Sequence, residues 1–320
     1  MQLLSSFAGR FDRTGMARNV VCATPKIASI LAGKIGGGDM SVGKGLEYWV
    51  AILTHADLPV LKKTARDLNA LREDEKKLTA HSVAAVIARD PIMTVKLLRY
   101  LQQHKHKIQT TEVIQVEQAL LMLGIEPIFS KVPPEPLVEN VLKQNIPALS
   151  QLLHSVHRSH LASEYAKDWG VRLRDLHYEE VRIAALLHDI AEILMWCFDP
   201  EAMLEISVIQ QRDKLLRSRT IQEQVLGFSL LELQHELAVQ WELPQLLLTL
   251  MSDACSNQPR VRNVVLAVNL ARHSANSWDD PALPDDYKDI AELLRMPIEE
   301  VVQMIAADAG IACDINHPHD

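Results

Sequence analysis

The spacing of apolar residues is helical almost everywhere from residue 57 onward, and runs of alternating β-branched residues are absent from the sequence. One stretch shows the pattern clearly, because Ile92, Val95 and Leu98 lie on one face of a helix. Asp90 stands just before this stripe, where a short polar side chain can cap the first turn. The sequence therefore predicts an all-α fold.

Glycine and proline predict where the chain is divided. Six of the 12 glycines fall within residues 33–45, which is typical of a flexible linker. The segment "VPPEP", residues 132–136, cannot continue a helix and predicts a boundary between two helical parts. The predicted parts are a flexible N-terminal segment with its Gly-rich linker (1–46), an N-terminal helical half (47–136), a helical bundle (137–280) and a C-terminal helical extension (281–320).

The bundle and the extension are predicted to consist of helices with short connections. Pro147 is expected to bend the first helix of the bundle. The predicted helices lie near residues 137–169, 178–197, 201–217, 221–240, 244–253, 260–273, 285–295 and 297–307.

The charge of the chain limits its partners. The net charge is −8 and the pI is about 5.9. Such a chain lacks the general basic surface that binds nucleic-acid phosphates or anionic lipids, so nucleic acid is not an expected partner.

The 4 cysteines are scattered without CxxC spacing, which favours a reducing compartment, the cytoplasm. The N-terminal stretch has no signal-peptide pattern, and we expect no membrane span.

The stretch "AALLHDIAEILMW", residues 184–196, places His188 and Asp189 side by side in an apolar run. An unpaired buried carboxylate is costly, so groups on other helices must pair with Asp189. Two interpretations are open: a divalent transition metal that activates water for phosphoester hydrolysis, or a hydrogen-bonded cluster that fixes the helix packing. Candidate partners on other helices are His157, His160, His235, Asn269 and His273.

Five stretches together carry a resemblance to a known family. They are "DLPVL" at 57–61, "ARDPIMTVKLLRYL" at 88–101, "VEQALLMLG" at 116–124, "ALLHDIAEI" at 185–193 and "HELAVQWELP" at 235–244. In this order and spacing they resemble the HDOD family, the HD-related output domains of bacterial signalling proteins, over roughly residues 55–310. "ALLHDIAEI" also resembles the wider HD superfamily, whose metal-dependent phosphohydrolases use an H…HD…D ligand set. The resemblance implies that residues 47–280 form an HDOD domain.

The HD superfamily pattern implies a ligand set for this chain. His157 best fits the first ligand site, and His160 is the runner-up. His188 and Asp189 fit the HD pair itself. Asn269 stands where the active hydrolases have their final aspartate, and its neutral carbonyl oxygen is a poorer ligand for a hard divalent ion. Metal affinity is therefore expected to be low.

Two further residues modify this expectation. Glu192 stands where the phosphohydrolases commonly carry a lysine, and a carboxylate there repels an incoming phosphate. His235 is the candidate to replace the missing carboxylate ligand. The resemblance thus implies a vestigial or weak metal site formed by His157, His188, Asp189, His235 and Asn269. No cofactor is expected, and any metal that binds should be iron, manganese or zinc.

The resemblance implies a non-catalytic signalling output or scaffold module that acts through protein–protein contacts. The alternative is a metal-dependent phosphohydrolase that acts on a nucleotide or a cyclic dinucleotide. The implied partner is a signalling protein whose identity the sequence does not show. Its candidate contact surface is the junction near "VPPEP", which brings Leu137, Val138 and Val141 together with a preceding segment whose Ile125, Ile128 and Phe129 are more apolar than a solvated loop requires. The alternative for most of these residues is that they pack the two helical parts together.

Overall fold

The computed structural model describes residues 44–104, 112–213, 216–252, 257–275 and 277–308. Residues 1–43, most of the predicted N-terminal segment, and the last residues of the predicted extension lie outside the described residues. The described helices are α1 (Leu46–His55), α2 (Lys62–Glu73), α3 (Ala80–Ile87), α4 (Pro91–His104), α5 (Val116–Leu123), α6 (Glu126–Ser130), α7 (Val138–Val141), α8 (Ile146–Arg172), α9 (Tyr178–Leu187), α10 (Ile190–Phe198), α11 (Pro200–Arg212), α12 (Ser218–Leu226), α13 (Leu230–Gln240), α14 (Gln245–Leu250), α15 (Pro259–His273), α16 (Leu283–Leu294) and α17 (Ile298–Asp308).

The predicted all-α class is confirmed. Within the described residues the sole β contact is an isolated parallel bridge between Val60 and Leu137. This bridge joins the chain just before α2 to the chain just before α7. Among all the described residues, every helix is too short or too polar to cross a membrane.

Two buried polar residues, Asp90 and Lys96, organise the N-terminal half. Asp90 is 0% exposed, and its carboxylate accepts hydrogen bonds from the N–H groups of Ile92 at 2.9 Å and Met93 at 3.0 Å. It therefore caps α4, as the sequence predicts. Lys96 Nζ donates to the carbonyl oxygen of Glu135 at 2.6 Å. This lysine ties α4 to the "VPPEP" segment, so the segment is anchored to the helices before it.

The long helix α8 is at the centre of the C-terminal part. It packs against α9, α10 and α15. Trp169 on α8 is fully buried, as is Trp241 just after α13. Helix α13 packs against α10 on one side and against α1 on another. The apolar segment that contains the HD pair is therefore enclosed by other helices, as its composition indicates.

The structure corrects the prediction at Pro147. One bent helix is predicted near residues 137–169, but the chain ends a short helix and then starts α8 at Ile146, with Pro147 in its first turn. The Asn145 side chain caps this turn by accepting a hydrogen bond from the N–H of Ala148 at 3.1 Å. The N–H groups of the first turn have no acceptor within the helix, so the missing N–H of a proline costs nothing there. Pro147 therefore begins a helix instead of bending one.

Residues 221–240 also form two helices where one is predicted. Gly227 ends α12 with φ of +83°, a left-handed conformation that suits glycine. Ser229 then begins α13 with a capping box: its Oγ accepts from the N–H of Glu232 at 3.2 Å, and Glu232 Oε2 accepts from the N–H of Ser229 at 3.0 Å. The resulting turn places α12 and α13 on two sides of the cavity that is described below.

Replacing Ser229 with alanine is expected to lower the free energy of unfolding by about 1 kcal/mol, because the first turn of α13 loses its side-chain acceptor. Urea denaturation followed by circular dichroism measures this change. Ser229→Thr keeps a hydroxyl oxygen at the cap and should cost less than the alanine variant. Equal stability of the alanine variant and the parent chain would show that the capping box contributes nothing.

Candidate functional site

The HD pair lies at a break between two helices. Residues 178–197 are predicted as one helix, but α9 ends at Leu187 and α10 begins at Ile190, with His188 and Asp189 between them. The Asp189 side chain does not cap α10. It turns instead toward basic side chains on neighbouring helices.

Asp189 is held by three basic groups. Arg272 Nη2, on α15, lies 3.3 Å from Asp189 Oδ1 and 3.4 Å from Oδ2. His188 Nδ1 lies 3.0 Å from Oδ1, and Arg158 Nη2, on α8, lies 3.8 Å from Oδ2. Burial alone would raise the pKa of Asp189, but Arg272, His188 and Arg158 outweigh it and hold the pKa well below its usual range. The carboxylate is therefore ionised and already paired within the protein.

Glu192 is paired as well, one turn further along α10. Arg158 Nη2 donates to both carboxylate oxygens of Glu192, at 2.9 and 3.0 Å. Ser155 Oγ donates to Glu192 Oε1 at 2.6 Å. Glu192 raises the pKa of the Arg158 guanidinium above its ordinary value, while burial opposes this shift and Asp189 adds to it. One arginine on α8 thus lies within 4 Å of two carboxylates on the segment around the HD pair.

A cavity of about 300 Å³ opens beside this network. It lies between α10, α12, α13 and α15. His188 and Asp189 form part of its wall, and Asn269 on α15 forms another part. The cavity is lined by His188, Asp189, Ala191, Glu192, Ser218, Arg219, Gln222, Leu230, Leu231, Gln234, Val265, Asn269 and Arg272.

The structure brings together three members of the predicted metal-ligand set and separates two. His188, Asp189 and Asn269 line the same cavity. His157 is exposed on α8, and the next residue, Arg158, is the one that faces Asp189. His235 is exposed on α13 and does not line the cavity.

Two other histidines that the sequence offers as partners lie elsewhere. His160, the runner-up for the first ligand site, is half-buried on α8, and burial is the main cause that lowers its pKa. His273 Nδ1 lies 2.6 Å from Asp286 Oδ2 and so pairs α15 with α16. Neither histidine is in the wall of the cavity.

The residues around Asp189 do not fit a divalent metal centre. Two guanidinium groups stand within 4 Å of the carboxylate, and their positive charge repels a second cation at this position. Among the described residues, no three His, Cys, Asp or Glu side chains are close enough together to hold a metal ion. The metal role of the predicted set stays a prediction, and this geometry favours its vestigial form.

Sequence reasoning missed the arginines that pair with Asp189 and Glu192, the two carboxylates of the HD segment, residues 188–192. Arg272 follows Asn269 by three residues, so the two share one face of α15. Arg158 directly follows His157, the residue that best fits the first ligand site. A search for cations near Asp189 on these helices would have found both, whereas a search for metal ligands passes over them.

The sequence matches the family model of the HDOD domain over residues 58–256, more than half of the chain. The chain belongs to the HDOD family. The HDOD domain thus contains the HD pair, Arg158 and the whole of α13, while Asn269 and Arg272 lie beyond the matched residues. No curated protein is significantly similar to this HDOD chain.

Solved structures share the fold of this HDOD protein. The MmoQ response regulator from Methylococcus capsulatus superimposes with a TM-score of 0.58 at 17% sequence identity, covering 79% of this chain and 99% of that one. A virulence factor (cj0248) from Campylobacter jejuni superimposes with a TM-score of 0.53 at 18% identity, covering 85% of this chain and 94% of that one. At these identities the similarity shows the fold alone.

Proposed function

We propose that this HDOD protein is a non-catalytic output or scaffold module of bacterial signalling, which acts in the cytoplasm through contacts with a signalling protein. The observation that carries the proposal is the pairing of both carboxylates of the HD segment with arginines, Asp189 with Arg272 and Arg158, and Glu192 with Arg158. The HDOD match supports a role in signalling. The fold shared with a response regulator is consistent with that role.

The arginine pairing opposes the alternative, a metal-dependent phosphohydrolase. Such an enzyme needs carboxylate and imidazole ligands that hold a metal ion and lower the pKa of its bound water. Asp189 is occupied by cations of the protein itself, and Asn269 offers a neutral oxygen where the hydrolases have a carboxylate. Glu192, which is half-buried against Arg158, places a carboxylate in the wall of the cavity that a phosphate would enter.

We expect the purified full chain to bind no stoichiometric iron, manganese or zinc and to hydrolyse no nucleotide, cyclic dinucleotide or simple phosphodiester. Elemental analysis of protein purified without chelator tests the first part, and chromatographic separation of substrates from hydrolysis products, after incubation with added manganese or iron, tests the second. Metal-dependent turnover that disappears in His188→Ala would overturn the proposal and establish the hydrolase instead.

The junction near "VPPEP" contains both core and exposed apolar residues. Val138 is buried, and Phe129 is half-buried, with the guanidinium carbon of Arg72 5.0 Å from the centre of its ring. Core packing therefore accounts for these two residues. Val141 at the end of α7 is 46% exposed and Ile146 at the start of α8 is 63% exposed. These two residues are the members of the junction that a partner can reach.

Val141→Asp is expected to fold like the parent chain but to lose a partner protein that binds at this junction, because a charge replaces an exposed apolar contact. Affinity purification of tagged chain from its source cells, with mass spectrometry, measures the loss. Val208→Asp, at an exposed valine on α11, is the matched control and should keep the partner. If both variants keep every partner, the junction is not the contact surface.

A further inference from the structure

The turn that follows α8 exposes three large apolar side chains. Leu176 is 90% exposed, the highest value for a large apolar side chain among the described residues. Val171 is 53% exposed and Leu173 is 37% exposed. Single exposed apolar residues are common on monomeric proteins, whereas several that lie close together mark a contact surface. Residues 171–176 are therefore a candidate interface.

Hydrogen bonds hold this turn in a fixed conformation. Arg260, at the start of α15, donates to both carboxylate oxygens of Asp175, at 2.7 and 2.8 Å. Asp175 Oδ1 also accepts from the N–H of His177 at 2.9 Å. Leu176 lies between these two residues in the chain, so its backbone is fixed on both sides. A contact residue that is already fixed loses little conformational entropy when a partner binds.

The turn carries positive charge next to its apolar side chains. Residues 167–174 contain three basic residues and one acidic residue. The acidic residue, Asp168, pairs with Arg172 at 2.6 Å. Arg174 is exposed, and no carboxylate among the described residues pairs with it. The surface that best fits this turn is therefore apolar and acidic.

Helix α5 presents a surface of that kind. Leu121 is 71% exposed and Met122 is 46% exposed. Glu117 is also exposed and precedes Leu121 by four residues, so the two side chains lie on one face of the helix. Residues 112–130 contain three glutamates and no aspartate, lysine or arginine. The exposed face of α5 is thus apolar like the turn, and opposite to it in charge.

The start of α5 is a neighbour of this turn in the fold. Gln115, just before α5, donates from Nε2 to Glu180 Oε1 on α9 at 3.2 Å. The same oxygen lies 3.2 Å from Nδ1 of His177, which directly follows Leu176. In a two-fold dimer, a residue of one surface contacts a residue of the other surface on the second subunit, and the reverse contact forms as well. Adjacent basic and acidic surfaces therefore favour a second copy of this chain as the partner.

We propose that a second copy docks on this surface in a weak two-fold dimer, with residues 171–176 of each subunit against α5 of the other. Leu176 and Leu121 then form the apolar contacts, and Arg174 faces Glu117 of the partner subunit. The surface is small beside the roughly 1,200 to 2,000 Å² that stable complexes bury, so the dimer forms only at high concentration. The dimer goes beyond the proposed signalling role, and it requires no signalling protein.

Sedimentation velocity of the full chain, over about two decades of concentration in the micromolar range, measures the dimerisation constant. We expect a monomer–dimer equilibrium for the parent chain. Leu176→Asp and Leu121→Asp should each weaken dimerisation at least about tenfold, because a charge replaces a central apolar contact. Val239→Asp alters an exposed valine on α13 and should dimerise like the parent chain. Circular dichroism checks that each variant is folded.

Charge reversal tests which residues face each other. Arg174 has φ of +56°, and aspartate tolerates this left-handed backbone, so Arg174→Asp reverses the charge without new strain. Arg174→Asp and Glu117→Lys should each weaken dimerisation about three- to tenfold, because like charges then face each other. The double variant should dimerise more tightly than either single variant, because opposite charges face each other again.

Three outcomes would overturn the proposal. The first is a parent chain that stays monomeric over the whole concentration range. The second is equal dimerisation of the parent, Leu176→Asp and Leu121→Asp, which would place the dimer contact elsewhere. The third is a double variant of Arg174→Asp with Glu117→Lys that dimerises no more tightly than the single variants. None of these outcomes depends on whether a signalling partner is found.

Discussion

Replacing Arg158 with alanine is expected to lower the free energy of unfolding by about 3 to 5 kcal/mol, because it removes the arginine that pairs with Glu192 and one of the three basic groups that hold Asp189. Arg158 Nη2 contacts both oxygens of Glu192 and lies 3.8 Å from Asp189. The side chains of Arg158, Glu192 and Asp189 are 21%, 23% and 14% exposed. Water therefore compensates little for the loss of the arginine. Urea denaturation at neutral pH, followed by circular dichroism, measures the change.

The same helix supplies a matched control. Arg172 at the end of α8 pairs with Asp168 at 2.6 Å, but the two side chains are 47% and 40% exposed. Exposed pairs of this kind contribute between 0 and about 1 kcal/mol, so Arg172→Ala should change stability little. If Arg158→Ala is no more destabilising than Arg172→Ala, the two carboxylates do not depend on this cation.

A double variant separates the lost charge pair from the lost packing. In Arg158→Met with Glu192→Met, the carboxylate that Arg158 contacts most closely is removed together with the arginine. Replacing a buried ion pair by apolar side chains of similar volume is often close to neutral. The double variant should therefore be more stable than Arg158→Met alone. The reverse order would mean that Arg158 acts through its packing and not through its charge.

The helical class and the cap at Asp90 could be predicted because both depend on local patterns. Apolar spacing reports which face of a helix is buried, and the cap needs only a short polar side chain before the first turn. The breaks at Asp189 and Gly227 were missed because the apolar pattern continues across them. Just after Gly227, the spacing of Ser229 and Glu232 matches the capping-box motif, which could have predicted the start of α13. At Asp189 the carboxylate pairs with arginines from distant helices, which a local pattern cannot predict.

The candidate site shows a similar limit. The sequence identifies His188 and Asp189 because a charged residue in an apolar run requires a partner. It does not identify that partner, since the register of α8 against α10 decides whether His157 or Arg158 faces the carboxylate. A shift of one residue on a helix turns the side chain by about 100 degrees, enough to exchange a histidine for an arginine. Gln234 was missed for another reason, because nothing in the helical pattern of "LLELQHELAVQW" shows that this residue lines a cavity.

The contribution of Asp189 to stability is expected to depend on pH. Its pKa is held below the usual range in the folded chain by Arg272, His188 and Arg158, although burial acts in the opposite direction. A carboxyl group whose pKa is lower in the folded state binds fewer protons there than in the unfolded state, so the stability it contributes is present above the unfolded pKa of about 3.9 and is lost as the pH falls below it. At neutral pH we expect Asp189→Asn to lower the free energy of unfolding by about 2 to 4 kcal/mol.

Urea denaturation of the parent chain and Asp189→Asn at several pH values, from neutral to the acid limit of the folded state, measures this dependence. Because the asparagine side chain does not titrate, the difference between the two proteins should be largest at neutral pH and should shrink as the pH falls below about 5. Asp168→Asn, which alters the exposed pair with Arg172, should lower the stability little at neutral pH. A difference for Asp189→Asn that stays constant with pH would mean that the loss comes from the shape of the side chain. In that case the charge of Asp189, and with it the arginine network, would not be what holds the HD segment in place.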